Sequence, residues 1–162
     1  MKKNYFVVLF LVIFLIQCSS PEKLLRKGNY DALINKSVKN LIKNPSSEED
    51  AIMLDKAYNL ANQRDLDRIN YLRIENNPQS YEEIYNLYSI LNNRQNTVRK
   101  VLPIRIGGRT IQYEYIDYNS LMAEAKTNAA DYFYQNAKRL MNNNTKESYR
   151  QAYNEFIKAK NY

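Results

Sequence analysis

Few residues of this 162-residue chain are of types that could do chemistry, and their surroundings narrow what that chemistry is. Cys18 is the single cysteine, and the chain holds no histidine to take a proton from its thiol, so a thiolate nucleophile lacks its usual base. Without histidine, nucleophile–base arrangements reduce to serine with lysine or to carboxylates. Acids cluster at Glu48-Glu49-Asp50, at Asp65 with Asp67, and at Glu82-Glu83. The first and last of these stand at expected helix starts, where carboxylates answer the partial positive charge of the helix N-terminus. Asp65 and Asp67 lie among Arg64 and Arg68, where surface ion pairs are the ordinary outcome. No defined spacing of hard ligands suits a metal. The residues therefore predict a protein that is not an enzyme and uses no cofactor and no metal. A two-carboxylate attack on a glycosidic bond is the one catalytic alternative left open.

The elements that would carry these residues are helices. Three glycines and four prolines in 162 residues favour long helices over a turn-rich β-fold. Gly28-Asn29-Tyr30-Asp31, then Leu33, Ile34, Val38, Leu41 and Ile42, closed by Asn44-Pro45, predict an amphipathic helix of about fourteen residues. Ser46-Ser47-Glu48-Glu49 starts another, with Ala51, Leu54, Ala57, Tyr58 and Ala61 as a narrow stripe. Leu66, Ile69, Leu72 and Ile74 continue the apolar contacts to Asn76-Asn77-Pro78, and the two stretches are expected to form a pair of helices. Tyr81, Ile84 and Tyr88 open a further helix, with Tyr85, Leu87, Ile90 and Leu91 thickening its apolar face. From residue 104 to 116, apolar and polar residues alternate on both sides of Gly107-Gly108, which predicts a β-hairpin with a tight primed turn. An isolated hairpin is marginal in water, so this one must lie against the helices or pair with something else. Leu121, Ala125, Ala129, Tyr132, Phe133, Ala137, Leu140 and Met141 then mark a long helix. A break follows at Asn142-Asn143-Asn144-Thr145, and Tyr149, Ala152, Phe156 and Ala159 mark the last helix.

The N-terminus is read as an address. Lys2 and Lys3 precede twelve residues, 5–16, without a charge or an amide. A membrane-spanning helix needs roughly 20 apolar residues, so this run reads as a signal-peptide core. Leu15-Ile16-Gln17-Cys18, followed by Ser19-Ser20, resembles the lipobox of bacterial lipoproteins, with Gln17 standing where that family has Gly, Ala or Ser. The resemblance implies that residues 1–17 are a signal peptide and that Cys18 becomes a lipidated N-terminus, with residues 18–22 as tether. Several acyl chains would hold the protein durably in a leaflet. An uncleaved anchor with an incidental thiol, and a disulfide to another chain, are the alternatives for Cys18. Cleavage would leave 145 residues with 22 basic and 17 acidic side chains, net +5, enough for one domain with a core. No basic block, Arg-Gly run or aromatic ribonucleoprotein motif is present, so the charge does not point to nucleic acid; a positive face towards anionic lipid is its better use.

The helix pairs themselves carry a second resemblance. GNYDALINKSVKNLIKNP, residues 28–45, is similar to the second helix of a tetratricopeptide repeat. The spacing of Tyr81, Ile84 and Tyr88 matches the bulky positions of a repeat's first helix, and Tyr149, Ala152, Phe156 and Ala159 match its second. The chain as a whole resembles the Bacteroidetes-like tetratricopeptide-repeat lipoproteins of bacterial envelopes. That implies an all-α fold: a degenerate tetratricopeptide-like helical hairpin array over residues 23–162 with one inserted β-hairpin near 104–116. The array either ends on an exposed helix face or is the front part of a longer one. The implied function is a non-catalytic protein-protein interaction scaffold, tethered to a membrane by its lipid, at the outer membrane because Ser19-Ser20 lacks the retaining aspartate. Its partner would be an envelope protein, gripped by groove residues Tyr81, Tyr85 and Tyr88. The alternative is an envelope lipoprotein that binds glycan or peptide fragments, with the hairpin as lid or edge. Fifteen tyrosines suggest a stacking surface, but most fall on expected packing faces.

Overall fold

The computed structural model describes residues 20–75 and 77–162; Cys18 and the expected signal peptide lie outside the described residues. The order of elements is α1 (Pro21–Arg26), α2 (Tyr30–Lys43), α3 (Glu48–Glu75), α4 (Tyr81–Val98), β1 (Ile104–Ile106), β2 (Arg109–Ile111), α5 (Tyr118–Met141) and α6 (Lys146–Asn161). The fold is all-α with one inserted β-hairpin.

Each element starts and stops for local reasons. Pro21 opens α1 with Ser20 as its cap, so Pro21 and Glu22, expected in the tether, already belong to a helix. Between α1 and α2 the chain reverses at Gly28, whose φ of +68° a side chain would oppose. α2 runs fourteen residues, as its periodicity predicts, and ends before Pro45. Before α3, the Ser47 hydroxyl accepts from the Asp50 backbone and donates to the Asp50 carboxylate; the Asn40 amide reaches the same carboxylate from α2, 2.9 Å away.

The expected pair over 48–75 is a single helix of 28 residues. No glycine or proline interrupts it, and its buried stripe continues through Asp65 to Ile69 and Leu72. Ile74, expected among the apolar contacts, is 84% exposed.

Two buried clusters divide the core. The first joins Leu33, Ile34, Val38 and Leu41 of α2 to Ala51, Leu54, Ala57 and Tyr58 of α3, with Val98 and Ile104 closing it. The second joins Ile69 and Leu72 at the far end of α3 to Ile84, Tyr88 and Leu91 of α4 and to Tyr118 and Ala125 of α5. Beyond them, α5 buries Ala129, Phe133 and Ala137, four residues apart, beneath Ala152 of α6. The small side chains let the two helices close into a hairpin. A reciprocal cap starts α6: the Thr145 hydroxyl accepts from the Ser148 backbone at 3.0 Å, and the Ser148 hydroxyl accepts from the Thr145 backbone at 3.1 Å.

The β-hairpin is present and shorter than its alternation suggests. Ile104 pairs with Ile111, Arg105 with Thr110 and Ile106 with Arg109, around Gly107 and Gly108 at φ +56° and +75°. Both turn residues are left-handed, as a type I′ turn requires. Residues 112–116 leave the ladder because α3 and α4 claim them. The Tyr113 hydroxyl donates to Asp55 at 2.7 Å, its ring lies 4.3 Å from that of Tyr58, and the Gln95 amide holds both backbone groups of Ile116 at 2.9 Å. At the tip, the Gly107 N–H donates to Glu48 at 2.6 Å. The hairpin therefore lies on the helices, Ile104 inward.

Candidate functional site

The acidic clusters are absorbed by folding contacts. Glu48 holds the hairpin tip, Asp50 accepts from Ser47 and Asn40 at the start of α3, and Glu83 forms a two-pronged pair with Arg68 at 2.7 and 3.0 Å. Asp65 departs from expectation. Rather than a surface ion pair, it is 4% exposed and meets Arg94, itself 3% exposed, at 2.8 Å. Arg94 also reaches Asp31 of α2 with two nitrogens, at 2.8 and 3.2 Å, and Asn62 at 2.8 Å, while Arg64 caps the other oxygen of Asp65. One guanidinium thus ties α2, α3 and α4 together. Its burial pulls its pKa down, and the hydrogen bonds it donates to Asp31 and Asp65 more than reverse this. Sequence reading missed it because the partners are far apart along the chain. Among the described residues, no group of three or more His, Cys, Asp or Glu side chains is placed to hold a metal ion.

The three tyrosines expected to bind a partner have different surroundings. Tyr88 is 4% exposed and belongs to the second core cluster, so it presents no groove surface. Its burial follows from its place four residues after Ile84 and three before Leu91, on the same face. Burial raises its phenol pKa, and Arg73, whose guanidinium lies over the ring at 5.8 Å, opposes the rise. Tyr85 is half-buried and meets the edge of Tyr162, which stacks on Phe133 with centroids 5.9 Å apart. That chain of rings fastens the end of α6 to α4. Tyr162 has its pKa pushed up to about 12 by burial and by the Glu82 carboxylate. Tyr81 alone faces an opening, a cleft of about 160 Å³ between α3, α4 and α5.

That cleft has a buried apolar floor of Leu72, Ile84 and Ala125. Its rim is polar: Arg73, Asn77, Glu124 and Asn128, with Tyr81 beside them. Arg73 Nη2 and Glu124 Oε1 are 3.9 Å apart. No local sequence signal joins Arg73 to Glu124, since only the packing of α5 across α3 brings them together.

A second surface lies on α6. Tyr149, Tyr153 and Ile157 follow one another at four-residue intervals and are 46%, 64% and 40% exposed. Lys146, Arg150 and Asn154 flank the two tyrosines, lining a shallow depression with them. Tyr149 was expected to pack inward with Ala152 and Phe156; it faces out, its hydroxyl donating to Asn144 at 2.9 Å. The sequence did contain the signal, because α6 is apolar on two faces and only one can meet α5.

Comparison of the chain with protein-family models, with curated proteins and with solved structures finds no match. Among the described residues, no helix is long and apolar enough to cross a membrane.

Proposed function

We propose that this protein is a lipid-tethered scaffold of a bacterial envelope that holds a partner protein and carries out no reaction. The observation that carries the reading is the uncovered α6 stripe of Tyr149, Tyr153 and Ile157 beside Lys146 and Arg150. Tyrosine and arginine are the residues most enriched where proteins bind one another, since each combines large apolar area with a polar tip. The flanking cations select a partner whose contact surface is apolar at its centre and acidic at its edge. The lipobox-like LIQC supplies the tether at Cys18, and the excess of basic residues suits an anionic leaflet. The tetratricopeptide-like spacing of Tyr149, Ala152, Phe156 and Ala159 supports a helical binding scaffold.

The test is a photo-crosslinking residue placed at position 153 in living cells, with position 74, which is more exposed still, as the control. Mass spectrometry of the adduct reads the partner and the mature N-terminus together. One dominant envelope protein at position 153, absent at 74 and lost on Arg150→Glu, with an acylated Cys18, is the expected result. Equal labelling from both positions would sink the scaffold reading.

A second reading, a lipoprotein that binds small envelope-derived ligands, rests on the cleft beside Tyr81. An apolar floor under a polar rim supports that reading, and a volume of about 160 Å³ limits the ligand to something far smaller than an oligosaccharide.

A further inference from the structure

The mouth of that cleft carries one positive and one negative charge side by side over an apolar floor. Arg73 comes from the last turn of α3 and Glu124 from α5, with side chains 48% and 60% exposed. An ion pair this exposed contributes little to stability. The fold keeps Arg73 in place in another way, over the buried ring of Tyr88. On the same rim, the Asn128 amide and the Tyr81 hydroxyl have no hydrogen-bond partner among the described residues. The opening is therefore lined by a donor, an acceptor and two uncommitted polar groups above Leu72, Ile84 and Ala125.

We infer that this cleft binds a free α-amino acid with an apolar side chain, the side chain on the floor, the carboxylate against Arg73 and the ammonium against Glu124. In such a molecule the ammonium nitrogen and the nearer carboxylate oxygen lie about 3 Å apart by ordinary bond lengths and angles. Arg73 and Glu124 present their charges 3.9 Å apart. The two charge pairs can lie alongside each other with opposite signs facing, and the Arg73–Glu124 contact need not break. A simple carboxylate would meet Glu124 as a like charge, and a simple amine would meet Arg73 so. Size agrees: at about 30 Å³ per water, the cleft holds roughly five waters, room for a branched aliphatic side chain. This deepens the small-ligand reading and is independent of the α6 surface.

The experiment is isothermal titration of the purified protein with L-leucine, N-acetyl-leucine and leucinamide. Leucine should bind saturably with a Kd of about 1 mM or tighter, while the two singly charged analogues bind at least about tenfold more weakly. Arg73→Gln and Glu124→Gln, both at exposed side chains and checked by circular dichroism for an unchanged fold, should each weaken leucine by about tenfold or more. Tyr153→Ala should leave leucine binding unchanged, which separates this site from the scaffold surface. The inference is overturned by no leucine heat up to about 10 mM, by analogues that bind as well as leucine, or by either charge variant keeping full affinity.

Discussion

Replacing Arg94 with methionine is the sharpest test of how the N-terminal half is held together. The substitution keeps an unbranched apolar stem and removes the guanidinium that touches Asp31, Asn62 and Asp65. The three orphans do not suffer alike. Asp31 has a half-exposed side chain, 51%, and rehydrates; Asn62 is partly exposed. Asp65 is the costly one, with a side chain only 5% exposed, though Arg64 still meets it at 2.8 Å. Stripping one partner from a buried ion pair destabilises by about 3–5 kcal/mol, and the remaining Arg64 contact sets the expectation at the low end, about 3 kcal/mol. With a urea m-value of about 2 kcal/mol/M, the unfolding midpoint should fall by about 1.5 M. Removing both charges in Arg94→Met/Asp65→Leu leaves no buried charge unpaired, and the double variant should cost less than Arg94→Met alone. Urea melts of the wild type, both single variants and the double variant complete the cycle. A cost below about 1 kcal/mol for Arg94→Met, or a double variant whose cost equals the sum of the singles, would refute the buried-bridge argument.

Two further outcomes follow from the geometry. The phenols of Tyr58, Tyr88, Tyr113, Tyr118 and Tyr162 are all raised, burial being the largest cause in each, with Asp55 adding to it at Tyr113. The folded state then keeps protons that the unfolded chain releases near pH 10, so the unfolded state binds fewer and stability falls as pH rises. The contribution is complete below about pH 10 and is lost as pH climbs towards the folded values, about 12 for Tyr118 and Tyr162; urea midpoints flat across that window would contradict it. At the hairpin tip, Gly108→Ala at φ +75° should cost about 1 kcal/mol by backbone strain alone, since open space surrounds its added methyl; an unchanged thermal midpoint would remove the primed turn from the account.

How much of this was legible in the sequence depended on whether the signal was local. The bounds of α2, the glycine pair of the hairpin and the long alanine-spaced face of α5 each follow from residues within one or two turns, and each is found where expected. The length of α3 was hidden by a single charged residue. Asp65 occupies the next position of the stripe that runs through Tyr58 and Ala61, and its charge reads as the end of an apolar face. Only Arg94, arriving from α4, makes that position habitable for a carboxylate, and no local pattern announces it. Arg73 and Glu124 were illegible for the same reason. Tyr88 was misplaced because bulky positions of a helix pair and groove positions share one spacing; Tyr149 and Tyr153 were available to a stricter reading of α6 as a helix with two apolar faces.

The 28-residue α3 changes how the molecule bears force and how it opens. At 1.5 Å per residue it is a rod of about 42 Å, and its two ends belong to different hydrophobic clusters. In an array of separate repeats, each unit can fray while its neighbours stand. Here the rod is common property, so melting either cluster takes away the wall against which the other is packed. A pull on the N-terminal segment enters at α1 and α2 and is carried along the rod to the far cluster. The N-terminal half yields as one body, and α6, packed on α5 and fastened to α4 by the contact of Tyr85 with Tyr162, closes the other end.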